Sequence, residues 1–125
     1  MKKKKIADEH VKSIEIHQGV TIVRLFGSIS FNNLMSVREE FMSKIKNLPT
    51  KKILFDLKHV TDADTAGLAM IINLFKQMKD SGSGGRIGLI NLSQKMRDLL
   101  EISKLNKVFK EYLSERHAIT SLLKS

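Results

Sequence analysis

Ile53-Leu54-Phe55-Asp56-Leu57-Lys58-His59-Val60-Thr61-Asp62-Ala63-Asp64-Thr65-Ala66-Gly67-Leu68-Ala69 is the stretch that decides the fold. Its first part belongs to a strand read over Lys51 to Leu57. The apolar centre Ile53-Leu54-Phe55 is continuous rather than alternating, which suits a central strand covered on both faces. Its last part opens a helix from about Thr65 to Asp80. There Leu68, Ile71, Ile72, Phe75 and Met78 recur at steps of three, one, three and three and form one apolar stripe. Lys58 to Asp64 reads as the loop between them. In open α/β sheets, loops at the carboxyl ends of strands are where sites usually sit.

Outward from that unit the chain alternates strand and helix. Upstream, Ser13-Ile14-Glu15-Ile16-His17 alternates polar and apolar, Gln18-Gly19 is a turn, and Val20 to Phe26 is rich in β-branched residues. Two short strands around a Gly-containing turn predict an antiparallel hairpin, which Gly27 ends. Asn32 or Asn33 is a candidate cap for a helix carrying Leu34, Val37, Phe41 and Ile45 to about Asn47, stopped before Pro49. Downstream, the flexible turn 81–85 leads to a strand over Arg86 to Ile90. Ser93 can cap a helix with Met96, Leu99, Leu100 and Ile102. Val108-Phe109 marks a short strand, and Ser114 starts a last helix with Ala118, Ile119, Leu122 and Leu123. The order predicts an α/β domain with a mixed, mostly parallel sheet of four to five strands and about four helices.

Composition narrows the function. The 125 residues fit one domain. Residues 1–12 read as a basic, flexible segment and 13–125 as the domain. There is no cysteine, which excludes disulfides, thiolate zinc sites and a cysteine nucleophile, and which fits a reducing cytoplasm. The basic start lacks the apolar stretch of a signal peptide, because Asp8 and Glu9 follow at once. No apolar run approaches the roughly 20 residues of a membrane span, so no stable membrane insertion is expected. The net charge is +9, but outside the five lysines of residues 1–12 the basic residues are scattered. No basic segment interleaves aromatics as a stacking platform would, so direct DNA binding is not expected.

Enzyme motifs are missing. The sequence has no phosphate-binding Gly-x-x-x-x-Gly-Lys-Ser/Thr loop and no Gly-x-Ser-x-Gly elbow. The glycine-rich turn precedes a strand rather than a helix, so it does not aim a helix N-terminus at a phosphate. His59, Asp62 and Asp64 have metal-binding chemistry, but a two-residue offset in a loop need not converge, and no metal or other cofactor is expected. Asp64 is a good N-cap. On spacing alone, Asp64 can be only a cap, Thr65 only a first-turn residue and Gly67 only a close-packing residue.

The opening stretch resembles the signature of the STAS family of anti-sigma-factor antagonists: an apolar strand, an Asp-Leu-x-x-Val step, then Asp-Ser-Ser/Thr-Gly-Leu-Gly. The run from Met96 through Leu99-Leu100, Ser103, Leu105 and Val108-Phe109 resembles a second family stretch. Arg24-Leu25-Phe26-Gly27-Ser28-Ile29-Ser30 stands where the family often has Gly-Glu-Ile/Leu-Asp. The three matches keep the family's order over roughly residues 13 to 120. The resemblance implies a non-enzymatic partner switch. An antagonist binds an anti-sigma factor that is also a Ser/Thr protein kinase, is phosphorylated at the first hydroxyl after the Asp, and is restored by a phosphatase. That position is Thr65, with Asp62, Asp64, Ala66, Gly67 and Ser30 as its neighbourhood. Ala66 replaces the family's second hydroxyl, Ser28 and Ser30 replace acids, and Lys104 stands where Gly is common. The alternative is an unphosphorylated STAS interaction subunit of a stressosome-like complex or a lipid transporter. On the helix after Thr65, the face away from the core stripe carries Ala69, Met70, Asn73 and Leu74. These residues are expected either to meet the partner or to pack as satellite core.

Overall fold

The computed structural model describes residues 11–44, 52–80, 86–104 and 109–124, apart from the side chains of residues 41, 72, 74–80 and 86. The strands are β1 (Val11–His17), β2 (Val20–Ile29), β3 (Lys52–Ala63), β4 (Arg86–Ile90) and β5 (Lys110–Glu111). The helices are α1 (Leu34–Lys44, entered through a 3-10 turn over Phe31–Asn33), α2 (Thr65–Asp80), α3 (Gln94–Ile102) and α4 (Glu115–Leu123). The sheet order is β1-β2-β3-β4-β5. β1 and β2 form the expected antiparallel hairpin, and the remaining pairs are parallel.

β3 sits at the centre, as its continuous apolar run requires. Ile53, Phe55 and Leu57 join the larger core with Val37 of α1, Leu68 and Ile71 of α2, and Met96 and Leu100 of α3. Leu54 faces the other way, into a smaller core with Val20, Ile22, Ile90, Tyr112, Ala118 and Leu122. Three helices therefore cover one face and α4 covers the other. Among the described residues, no helix is long and apolar enough to cross a membrane.

Several boundaries differ from the sequence reading, each for a local reason. β1 starts at Val11 rather than Ser13: Val11 is buried, and its N–H donates to the buried Glu40 carboxylate at 2.7 Å. Residues 1–10 of the basic segment lie outside the described residues, as do the expected end of the first helix at Asn47, the start of the third strand at Lys51 and the turn 81–85. Gly27 does not end β2. It takes a φ of +80°, and the strand continues through a register shift at Gly27–Ser28 to Ile29. β3 runs six residues past Leu57, so Lys58 to Ala63 is strand rather than loop. Neither Asn32 nor Asn33 is the cap: Ser30 is, and its N–H donates to Asn33 Oδ1 at 2.8 Å. The last strand is Lys110–Glu111; Phe109 precedes it and Val108 lies outside the described residues. Ser93 and Ser114 do cap α3 and α4, accepting from the N–H groups of Met96 and His117.

A polar clamp holds the α4 face. Arg24 donates to both oxygens of Glu15 at 2.8 and 3.1 Å, to Asp56 at 2.8 Å and to Glu115 at 2.9 Å. One guanidinium thus joins β1, β2, β3 and α4. Burial works to raise the Asp56 carboxyl, but the Asn91 side chain, the Lys58 N–H and Arg24 together hold it below its ordinary value. Glu15 is held down at about 2, chiefly by Arg24 and then by His17 and Ser13.

The folded chain binds fewer protons at the clamp than the unfolded chain. The clamp's contribution is therefore complete above the ordinary Glu15 value of 4.5 and is lost as pH falls towards about 2. Melting temperature is expected to drop across that window, and the Arg24→Met variant to show a flatter profile when both are followed by circular dichroism. Lys104, just past α3, holds a φ of +63°, a strained conformation for any residue with a Cβ. Lys104→Gly is expected to raise stability by about 0.5–1 kcal/mol in urea titrations.

Candidate functional site

The strand-to-helix junction is built by β2 and β3 together. Their parallel pairing brings Ile29 alongside Ala63 and Ser28 alongside Asp62. The chain then turns through Asp64 into α2. The Asp64 N–H donates to the Ile29 carbonyl at 3.3 Å. Its Oδ1 accepts from the Gly67 N–H at 2.8 Å, the geometry expected of an N-cap. Its Oδ2 accepts from the Phe31 N–H at 3.0 Å. One carboxylate therefore fastens the first turn of α2 to the start of the 3-10 turn that leads into α1.

Gly67 is where the two segments touch. A Cβ there would lie 2.2 Å from the Ile29 carbonyl oxygen and 3.0 Å from the Ser30 nitrogen. The first turn of α2 can rest on the end of β2 only without a side chain at this position. Close packing thus accounts for Gly67, and capping accounts for Asp64.

Neither role explains Thr65. It is the first residue of α2 and is exposed. Its N–H and that of the half-buried Ala66 find no acceptor among the described residues. Ser30 is half-buried beside Gly67, its hydroxyl at a long 3.5 Å from Asn33 Oδ1. The Asn33 amide also donates to the Ser28 carbonyl at 2.7 Å, so Asn33 braces the chain on both sides of Ser30.

Ser30, Asp64, Thr65, Ala66 and Gly67 therefore converge on one junction. Asp62 stands apart from Asp64. It is exposed on β3, and Lys95, from the first turn of α3, pairs with it at 2.5 Å. That pairing lowers the Asp62 carboxyl below its ordinary value. His59 is exposed further back on β3. Among the described residues, no group of three His, Cys, Asp or Glu side chains could hold a metal ion.

The expected partner face on α2 divides. Asn73 is exposed, Ala69 is half-buried, and Met70 is half-buried against the larger core. The Leu74 side chain lies outside the described residues. Phe31, whose N–H Asp64 holds, and Met35 four residues on are apolar and exposed, at 70% and 66%. Their spacing of four was visible in the sequence but lay on the face away from the core stripe of α1. The bracing by Asn33 is a local Ser-x-x-Asn arrangement within reach of a sequence reading, whereas the pairing of Lys95 with Asp62 is a tertiary contact that left no sequence signal.

A family model described as STAS domain matches residues 12–118. An anti-sigma F factor antagonist from Paenibacillus polymyxa is 30% identical over 109 residues, 87% of this chain and 92% of that protein. A solved anti-sigma factor antagonist from Mycobacterium paratuberculosis has a TM-score of 0.76 at 19% identity, covering 93% of this chain and 96% of its own. The anti-sigma factor antagonist SpoIIAA in its unphosphorylated form has a TM-score of 0.63 at 18% identity, covering 90% of this chain and 98% of its own. The Bacillus cell fate determinant SpoIIAA in its phosphorylated form has a TM-score of 0.61 at 20% identity, with coverages of 87% and 96%. At these identities the solved structures bear on the fold alone.

The Gly67 contact is directly testable. In an ordinary helix, Gly→Ala stabilises by up to about 1 kcal/mol. Here the added methyl meets backbone, and overpacking of that kind costs about 1–3 kcal/mol. Gly67→Ala is expected to lower the urea midpoint at unchanged m-value.

Proposed function

This chain belongs to the STAS domain family, and from that premise we propose that it is an anti-sigma factor antagonist whose partner switch is set by phosphorylation of Thr65. The partner is an anti-sigma factor that is also a Ser/Thr kinase, and a phosphatase reverses the modification. On this reading the protein works in the cytoplasm, where ATP and sigma factors meet. The observation that carries the reading is the exposed Thr65 at the first position of α2, next to a carboxylate already committed to two backbone amides.

The junction suits both states of such a switch. Unmodified, Thr65 offers a small hydroxyl on a turn fixed by Asp64 and Gly67. Phosphorylated, it gains about −1.5 to −2 charge and three acceptor oxygens. The N-terminal end of α2 favours that charge by about 0.3–1 kcal/mol, and the Thr65 and Ala66 N–H groups are donors for it. Opposition from the two flanking acids is blunted, since Asp64 already accepts two hydrogen bonds and Lys95 balances Asp62. The domain can therefore carry the phosphate without refolding. In a dry interface the same dianion must be desolvated or paired at a cost, and a 100-fold affinity loss requires only about 2.7 kcal/mol.

Incubation with ATP and the cognate anti-sigma kinase is expected to add a single phosphate by intact mass, absent in Thr65→Ala. Persistence of the phosphate in that variant would assign the site elsewhere. Thr65→Asp is expected to weaken the kinase complex by about 10-fold or more at nearly unchanged melting temperature. Equal affinity would leave a STAS subunit that binds without a phosphorylation cycle.

A further inference from the structure

Helix α1 has two apolar faces, and the core uses one. Leu34 is half-buried and Val37 fully buried, and Glu40, on the same side, accepts from the Val11 N–H. The other face begins in the 3-10 turn at Phe31 and continues through Met35, Arg38 and Met42, at steps of four, three and four. At about 100° per residue Met35, Arg38 and Met42 fall within roughly 60° of one another, and Phe31 precedes them in the 3-10 turn. Phe31 is 70% exposed, Met35 66% and Met42 36%, and Arg38 is exposed among them. Single exposed apolar residues are ordinary. An aligned strip of Phe, Met and Arg is different, because aromatics, Met and Arg are the side chains enriched at protein interfaces.

The strip is continuous with the Thr65 junction. The Phe31 N–H is held by Asp64 Oδ2 at 3.0 Å, while Asp64 Oδ1 caps the turn that carries Thr65. The turn that carries Thr65 and the Phe31 backbone are therefore held by the two oxygens of one carboxylate. On α2 the matching position is weaker as an anchor, because Met70 is half-buried on the core.

We propose that the Phe31–Met35–Arg38–Met42 face of α1 is the docking strip for the anti-sigma kinase that engages Thr65. Phe31 and Met35 are its apolar anchors, and Arg38 meets a carboxylate of the partner. The inference rests on the functional reading above and assigns it a binding surface outside the modified turn. Met adapts to a partner's contour, and Phe31 enters with its backbone already fixed by Asp64.

The test uses the full chain and the purified anti-sigma kinase with a non-hydrolysable ATP analogue, by calorimetry. Phe31→Ser/Met35→Ser is expected to weaken binding by about 30-fold or more at wild-type melting temperature. The backbone hydrogen bond to Asp64 survives in that variant. Arg38→Glu is expected to weaken binding by about 10-fold. Ile102→Ser, at a site 78% exposed on α3, is expected to bind as wild type. With ATP and saturating kinase, the double variant is still expected to acquire its phosphate at Thr65, which separates docking from modification. Wild-type affinity in the double variant overturns the strip and leaves the Thr65 reading standing. Absence of kinase binding by the wild-type chain overturns both. A wild-type dimer in sedimentation that the double variant abolishes would assign the strip to a second copy of this chain and overturn the proposal.

Discussion

The contact between Gly67 and the Ile29 carbonyl sets the geometry on which the rest of the site depends. A carbonyl oxygen occupies the space that a Cβ would fill, so the first turn of α2 sits directly on the end of β2. That proximity lets the Asp64 N–H reach Ile29 and lets the Asp64 carboxylate span from Gly67 to Phe31. Each contact uses a backbone group that a helix start or a strand end would otherwise leave unpaired. The result is a turn held by three hydrogen bonds of Asp64, after which Thr65 opens α2 exposed.

The two faces of the sheet have different chemistry. The face under α1, α2 and α3 is apolar and supports the junction. The face under α4 combines a smaller apolar cluster with the Arg24 clamp. Asp56 belongs to the clamp because it lies between inward-facing Phe55 and Leu57 on β3 and so points to the other side. Its burial is tolerated because Asn91, Lys58 and Arg24 all donate to it. A buried carboxylate without such partners would be expensive. The hairpin, the central strand and the last helix are thus tied by directional bonds, whereas the site face is held mainly by shape.

Charge around Thr65 is better balanced than its sequence neighbours suggest. Two aspartates flank it within three residues, but one is engaged by two amides and the other by Lys95 from a different helix. The same junction holds the start of the exposed face of α1, since Asp64 accepts from the Phe31 N–H.

The alternation of strands and helices, the central place of β3 and the N-caps at Asp64, Ser93 and Ser114 were legible in the sequence. These follow from local propensity and apolar period, which act over a few residues. The end of β3 was illegible for a specific reason. Relative to β2, β3 carries extra residues at two register shifts, so its later inward positions are Val60 and Ala63. A spacing of three reads as loop to any period-two test, although the backbone is still paired. Gly27 misled in the same way, because a positive φ inside a paired strand looks in sequence like a strand end. Helical spacing separates core from non-core positions, but it does not reveal that Met70 leans on the core while Phe31 and Met35 stay exposed. Only the folded chain settled that Lys95 pairs with Asp62 and that Gly67 meets the Ile29 carbonyl, because each contact joins segments more than 30 residues apart, and the parallel register of β2 on β3 is what sets the end of β2 against the start of α2.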